Sequence, residues 1–562
     1  MQSQNNGIGK SEKRIGAKST YFIKSVCFII IGVLIFGMIQ VVFLPKRAPY
    51  TKSYDAGKLT GFYREEKNSI DVLISSTSHL SKGVLPMELY EKYGIKSYNL
   101  STSIQPIEAT YYLLCEALKT QSPKVFIIDV SNLYFSSVEA KYWWFVLDEM
   151  HLGENKLALM HEYKENADGG DESSREMLFP LVRYHTRWKE LTEIDFTAIG
   201  DNKHYFGKGG QMNTSVAAAE ITVEEMNAIA DQLLQSTEKN EYVYDGENTY
   251  QNHEENILYD TDIPEKNIEW LEKIKKLCDE NDIQLLAIKT PTIYMPQGQR
   301  SVWLEEKYHK IQKLCKEHHI TYYDLLYDAD LGIDWSRDSS DQGIHLNLLG
   351  AQKVSAGLGE YLKENYQLPD GSDEQWDRDL ASYQKVRKIG ELQVQKDFIE
   401  YINMLANEYK EMTILMAAEE DMAVGLTEDD ICALRLLGLQ ADFSNAANQS
   451  YVAVIENGEV KYESLSNRQI NYKGTCDKSS TIYELYSSGW WAGSGVSIKV
   501  GDEEYAYNHK GLNIVIYDNE RALVVDSVCF ETNQENHIAN RDNAKINEFE
   551  EAFERRIIKE YK

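Results

Sequence analysis

The stretch Asp71–Pro86, DVLISSTSHLSKGVLP, decides how the rest of the chain is read. With Ile70 its first half forms the short apolar run IDVLIS, the pattern of a buried strand. The run breaks at once into Ser75, Ser76, Thr77, Ser78 and His79, small hydroxyl residues that suit a tight turn. A strand that ends in such a turn and enters a helix exposes a side chain at the turn. It also leaves the helix's first N–H groups without intrahelical acceptors. Ser78 is therefore a candidate nucleophile, and a serine that only shapes the turn satisfies the same local pattern.

Outward from this stretch, strand and helix signals alternate. LPMELYEKYG reads as a helix with its glycine stop, IKSYNLS as a second strand, IEATYYLLCEALKTQ as an amphipathic helix and KVFIIDVS as a third strand. The alternation predicts a three-layer α/β domain with a parallel sheet over residues 65–366. From about 139 to 262 the pattern breaks into acidic, aromatic, poorly periodic sequence, read as a large helical insertion of the lid or substrate-binding kind. It then resumes in IEWLEKIKKLCDENDIQLLAIKTP, and NLLGAQKVSAGLGEYLKENY closes the domain as a helix. Residues 367–395, with LPDGSDEQWDRD from Leu368, read as a linker. Residues 396–562 read as a second, smaller α/β domain. At 562 residues the chain is too long for one core, which fits this division.

The formal net charge of −30 repels phosphate backbones, so nucleic acid is not an expected partner. Val26–Leu44, VCFIIIGVLIFGMIQVVFL, carries no charge over nineteen residues and is long enough to cross a hydrocarbon core as one helix. Lys10, Lys13, Arg14, Lys18 and Lys24 precede it against Glu12 alone. By the positive-inside rule, residues 1–25 form a cytoplasmic tail, 26–44 a single anchor and 45–64 a polar stalk, with everything beyond outside the cytoplasm. A signal peptide is the competing reading; the run is long for one, and no small-x-small site follows it. Of seven cysteines, Cys115, Cys278, Cys315 and Cys432 lie in helix-like apolar patterns expected to bury free thiols. Cys476 with Cys529 is the pair to test for a disulfide. No CxxC or Cys/His cluster is present, and neither a metal nor a cofactor is expected.

Far along the chain stands SSDQGIHLNLLGAQKV, Ser339–Val354, just before the closing helix. Asp341 can accept a hydrogen bond from one nitrogen of His345, freeing the other to act as base toward a serine. A solvated loop is the alternative for this pair taken alone, and Asp338 is the alternative partner. Together the strand-to-serine turn and the Asp/His loop resemble the first and last blocks of SGNH/GDSL hydrolases. NLSTSIQPIEATYYLLCEAL and SPKVFIIDVSNLYF resemble the blocks between. More narrowly, the domain is similar to membrane-anchored DltD-like and alginate-acetylation-like SGNH proteins of bacteria. The resemblance implies Ser78 as nucleophile, His345 as base and Asp341 as the residue orienting it, with Ser101 and Asn132 near the family's oxyanion positions. Two departures stand out: Ser76 occupies the usual glycine position, and the usual Asp-x-x-His is here Asp341-x-x-x-His345.

His79, next to the nucleophile, is expected to contact substrate or pack locally, because adjacent side chains on a turn diverge. In the insertion, His185, Arg187 and Trp188 combine a cation with an aromatic face, suited either to substrate or to pinning the lid. Lys208 in FGKGGQM reads as a solvated loop residue. In the last third, HKGLNIVIYDNERALVVDSVCFET, TILMAAEEDMAVGLTEDDICALRLLGLQADF and SYVAVIENG resemble the interleukin-like EMT inducer (ILEI, PANDER-like) domain with its halves in permuted order. That resemblance implies carbohydrate binding. Trp490 and Trp491 could stack on a sugar or pack in the core, and Glu419, Glu420 and Asp421 read as a solvated acidic turn. The family reading implies an anchored serine acyltransferase or esterase acting on a cell-envelope polysaccharide, beside a membrane O-acyltransferase partner. The alternative is a non-catalytic glycan-binding surface protein with a degenerate SGNH domain.

Overall fold

The computed structural model describes residues 8–45, 55, 57–133, 135–192, 195–196, 206–228, 243–244, 250–251, 262–293, 300–369, 371–476 and 478–561. It begins with helix α1, Ile8–Phe43, whose segment Tyr21–Phe43 has a mean hydropathy of 2.9 and no buried share, long and apolar enough to cross a membrane. The expected anchor at 26–44 thus starts five residues earlier, because Tyr21, Phe22 and Ile23 extend the apolar surface past Lys24.

Five parallel strands form the first sheet: β1 Val72–Ile74, β2 Ser97–Asn99, β3 Val125–Asp129, β4 Gln284–Lys289 and β5 Thr321–Asp324. Their order is β2-β1-β3-β4-β5, a doubly wound sheet whose direction of winding reverses between β1 and β3. Both faces are covered, which is why the strands read as continuous apolar runs. Val72, Ile74, Val125, Ile127, Leu286 and Ile288 pack on one side against Leu80, Leu89, Val354 and Leu358. Leu73, Phe126, Ile128 and Ala287 point to the other side, against Leu113, Trp143, Trp270 and Ile311. The alternation of adjacent residues between two apolar layers is the period of two that a strand imposes.

The end of the segment expected as a polar stalk, residues 57–64, is folded in. Helix α2, Lys58–Phe62, is buried at Lys58, Leu59 and Phe62. The Glu149 carboxylate accepts the N–H groups of Gly57 and Thr60, and Asp55 accepts both the N–H and the hydroxyl of Ser103. Residues 46–54 and 56 of the stalk, like much of the insertion between 197 and 261, lie outside the described residues.

The expected linker is largely a helix, Glu374–Val394, started by Asp373, whose carboxylate accepts the Gln375 and Trp376 N–H groups. It packs on α4, Pro86–Tyr93, through Arg387 on Glu88 at 2.9 Å and Tyr90 on Asp377 at 2.7 Å. Lys208, expected in a solvated loop, is fully buried here between Glu65 at 2.9 Å and Asp379 at 2.7 Å, with its ammonium 4.4 Å from the Trp376 ring. Two carboxylates and a ring compensate the desolvation that excludes a lone lysine from a core.

The last third, expected as α/β, combines the helices Phe398–Glu408, Glu428–Leu436 and Asn543–Tyr561 with a ten-stranded, mainly antiparallel sheet. Its central strand, Thr413–Glu420, pairs antiparallel with Ser450–Glu456 and Gly511–Asp518, and only its end, at Glu419 and Glu420, pairs parallel with Ile482–Gly489. Cys476 and Cys529, the pair singled out for a disulfide, are both buried and are not joined: Cys476 packs among apolar side chains, and the Cys529 thiol faces the His509 carbonyl. Cys432, expected to be buried, is exposed, because its helix Glu428–Leu436 turns Ala433 and Leu434 inward. Trp490 and Trp491 are 56% and 68% exposed, so core packing is not their role.

Replacing Lys208 by methionine leaves Glu65 and Asp379 buried without their cation. Urea unfolding of Lys208→Met in detergent is expected to show a loss of about 3–5 kcal/mol. A loss below about 1 kcal/mol, the range of an exposed pair, would mean the cluster is solvated after all.

Candidate active site

Ligand sites in open parallel sheets lie at the carboxyl ends of the strands, where the winding reverses. Here that place is occupied by the turn after β1. Thr77 is the N-cap of a short helix, α3, Ser78–Gly83, so Ser78 is its first residue. Ser76 carries the position where glycine was expected. Its φ is not in the left-handed region, so the turn does not demand glycine there. Its N–H donates to Ser101 Oγ at 2.9 Å and its hydroxyl to the Asp129 carbonyl at 2.9 Å, pinning the turn to the strands on either side.

Ser78 Oγ lies 2.8 Å from His345 Nε2, across 267 residues of sequence. His345 Nδ1 lies 2.5 Å from Asp341 Oδ2. The carboxylate fixes the tautomer: Nδ1 carries the proton, and Nε2 is left as acceptor for the Ser78 hydroxyl. The four-residue spacing is explained by the loop. Gln342 and Gly343 both take positive φ, 64° and 103°, and the loop closes with the bridge between Ser339 and Leu346. In this turn Asp341 Oδ1 also accepts the backbone N–H of His345 at 2.6 Å, so one carboxylate holds both ring and main chain. Asp338, the alternative partner, is fully buried and paired to Lys353 at 2.5 Å. Asn347 Oδ1 then caps the helix Leu348–Asn365.

Burial works to raise the Asp341 carboxyl. The hydrogen bond and charge of His345, with its backbone N–H, outweigh that and hold the group below the usual carboxylate range. His79 stacks on His345 with ring centroids 5.1 Å apart, and its Nδ1 lies 3.3 Å from Ser131 Oγ. This local packing is one of its two expected roles. Burial lowers His79 to about 4, Asp129 opposes that, and the neighbouring His345 lowers it further. A neutral His79 places no second positive charge against an imidazolium forming on His345.

Backbone donors for a developing oxyanion are available at the start of α3, whose first N–H groups have no intrahelical acceptor. Of the two expected donors, Ser101 has its backbone N–H committed to another acceptor. Ser101 gives its N–H to Asn99 Oδ1 at 3.0 Å, and its hydroxyl oxygen receives Ser76 N–H. Asn132 is buried, with its amide nitrogen 3.4 Å from Thr110 Oγ1. In the insertion, Arg187 donates to the Phe43 carbonyl and to Asp195, and His185 Nδ1 lies 2.8 Å from the Val182 carbonyl. Trp188 is exposed.

Three features of the site escaped the sequence reading. Lys82 stands one helical turn after Ser78 and its charge acts on both Asp341 and His79; the i, i+4 spacing in SHLSK was the available signal. Lys58 is buried beneath α3, donating to Ser81 Oγ at 2.5 Å and to the Ser101 carbonyl at 2.7 Å, and burial lowers it to about 8. The third is a strap, residues 206–219, that returns from the insertion. It donates to or accepts from Asn99 at the end of β2, the Ser81 carbonyl in α3, and Ser339 and Leu348 around the histidine loop. Gly209, at φ 81°, passes so close that a Cβ would lie 1.9 Å from the Asn99 carbonyl. Among the described residues no cluster of three or more metal-ligating side chains occurs.

No protein-family model matches the chain, and no curated protein matches it.

The lowered His79 predicts a stability slope. Between about pH 6.5 and 4 the unfolded chain binds a proton that folded His79 does not, so stability falls as pH falls through that window. Comparing urea midpoints at pH 7 and 4.5, His79→Gln is expected to lose less stability than the wild type, by on the order of 2 kcal/mol. Identical losses would mean that His79 takes its proton as readily folded as unfolded.

Proposed function

We propose that the chain is a membrane-anchored, SGNH-type serine acyltransferase or esterase, probing its substrate from outside the cytoplasm and acting on a cell-envelope or secreted polysaccharide. The observation that carries the reading is the aligned chain Ser78 Oγ, His345 Nε2 and Nδ1, Asp341 Oδ2, with contacts of 2.8 and 2.5 Å. In that role His345 Nε2 takes the Ser78 proton as Oγ bonds to the acyl carbon. Asp341 holds the imidazolium, and the first N–H groups of α3 receive the oxyanion. His345 then returns the proton to the departing oxygen, leaving an acyl-Ser78 ester. A polysaccharide hydroxyl or water, deprotonated by the same histidine, attacks that ester and restores Ser78.

The strand order and the position of Ser78 at the winding reversal support the SGNH reading, as does an apolar helix able to hold the domain at a membrane. The finer assignments to the DltD-like and alginate-acetylation-like branch, and of the last third to a permuted ILEI-like domain, rest on the sequence resemblance. The exposed pair Trp490 and Trp491 supports a glycan-facing role for that last third. A membrane O-acyltransferase partner would supply the acyl group.

Turnover of an activated acetate ester tests the reading. Ser78→Ala and His345→Ala are each expected to lower kcat/KM by about 10³-fold or more, and Asp341→Asn by a comparable factor. Asp338→Asn is expected to leave the rate within a few-fold of wild type while lowering stability. Wild-type turnover in Ser78→Ala would overturn the proposal.

A further inference from the structure

The insertion contains a stretch that the chemistry at Ser78 does not use: Ser174–Lys189, SREMLFPLVRYHTRWK. In a chain of net charge −30 it carries Arg175, Arg183, Arg187 and Lys189 against Glu176 alone, interleaved with Phe179, Leu181, Val182 and Trp188. Ser173 and Glu176 form a capping box that starts the helix Ser174–Leu178, and Pro180 opens a second short helix, Pro180–Arg183. A 3-10 turn follows over His185–Lys189.

This stretch packs on α1. Arg187 Nη1 donates to the Phe43 carbonyl at 2.7 Å, a cation at the negative end of that helix. The Leu181 N–H donates to Gln40 Oε1 at 2.7 Å. The Phe179 ring lies edge-on to Phe36, with centroids 5.6 Å apart. Phe36 stands seven residues before Phe43, the last residue of the apolar segment Tyr21–Phe43. At 1.5 Å per residue it lies about 10 Å below the end of that segment. If Tyr21–Phe43 fills the hydrocarbon core, a side chain touching Phe36 is inside it as well.

We infer that Ser174–Lys189 is a second membrane contact, a foot that enters the leaflet at the C-terminal end of α1 and takes lipid as its partner. The inference rests on α1 spanning the membrane. The outward side chains fit the assignment. Phe179, Val182 and Trp188 are 37%, 40% and 64% exposed, large apolar groups left open on one short segment. The charges nearest α1 are neutralised internally: Arg187 pairs with Asp195 at 2.9 Å, while Arg183 pairs with Glu172 at 3.6 Å and lies 3.0 Å from the Trp144 ring. Lys189 and His185 are exposed. Together with Trp188 they form the basic, aromatic edge that anionic headgroups accept. The backbone enters as short helices, and the Leu181 N–H is satisfied by Gln40, as a lipid environment requires.

Depth measurement in a bilayer tests this. The full chain, with Cys27, Cys115 and Cys432 replaced by serine, takes a nitroxide at Phe179→Cys, Val182→Cys, Ile30→Cys or Leu157→Cys and is placed in nanodiscs of phosphatidylcholine and phosphatidylglycerol. Ile30 lies inside the apolar segment, and Leu157 is an exposed residue of the helix Glu154–Asn166. Labels at 179 and 182 are expected to shift from nickel-chelate accessibility to oxygen accessibility, matching 30 and differing from 157. Labels at 179 and 182 that match 157 overturn the foot while the span, read at 30, stands. A water-exposed label at 30 overturns the span itself. Labels at 179 and 182 that are aqueous in nanodiscs yet shielded in native membranes assign the face to a membrane protein, which also overturns the lipid assignment.

Discussion

The 2.8 Å contact between Ser78 Oγ and His345 Nε2 is the constraint on which the functional architecture depends. A hydrogen bond of this length tolerates little misplacement, and its two ends come from opposite ends of the parallel-sheet domain. The sheet supplies the coarse placement, since the turn after β1 and the loop after β5 both lie at the carboxyl edge. Finer placement comes from polar bonds that cross between segments. Ser76 ties the Ser78 turn to Asp129 and Ser101, Lys58 ties α3 to the same Ser101, and Asp341 fastens both the ring and the main chain of His345. The strap at 206–219 touches both halves, bonding to Ser81 on one side and to Ser339 and Leu348 on the other. An insertion that reads as a lid thus contributes part of the frame of the site.

Around that frame the molecule is sewn together by buried charge as much as by apolar area. Lys208 joins Glu65 to Asp379 at full burial, and Arg541, buried in the last third, pairs with Asp526 at 3.1 Å while donating to the Gln395 carbonyl at 2.7 Å. Such pairs are costly to desolvate and tolerate few geometries, so they fix register between segments more than they add stability. The helix Glu374–Val394 is where these connections meet. Its Gln393 donates to the Val525 carbonyl of the second sheet at 2.8 Å, and its Arg387 holds Glu88 of α4. Met87 and Tyr90 of α4 share one apolar cluster with Phe398, Tyr401 and Phe530 beyond that helix. The last third is therefore packed onto the parallel-sheet region.

Much of this was legible in the sequence because it is local. IDVLIS and KVFIIDVS announce buried strands by their apolar runs, and the Ser78 turn and the Asp341/His345 loop are short patterns with a chemical reason for their spacing. What was not legible depends on contacts far apart in sequence. FGKGGQM looks solvated because nothing near Lys208 reveals that Glu65 and Asp379 converge on it. Lys58 looks like part of a stalk until Ser81 and Ser101 are placed above it. Trp490 and Trp491 follow a strand and look like core, yet both are exposed in the 3-10 turn Trp490–Ala492. The oxyanion roles of Ser101 and Asn132 came from matching family blocks, and the Ser101 N–H is taken here by Asn99 Oδ1.

The central claim is that Ser78 is a nucleophile activated by His345. The most direct measurement is peptide mapping of the intact protein after exposure to a fluorophosphonate, which bonds to a serine only when its oxygen is activated. The account predicts one adduct, on the peptide carrying Ser78, formed much more slowly in His345→Ala. Absence of any adduct on that peptide, or an equal rate of labelling in His345→Ala, would contradict it.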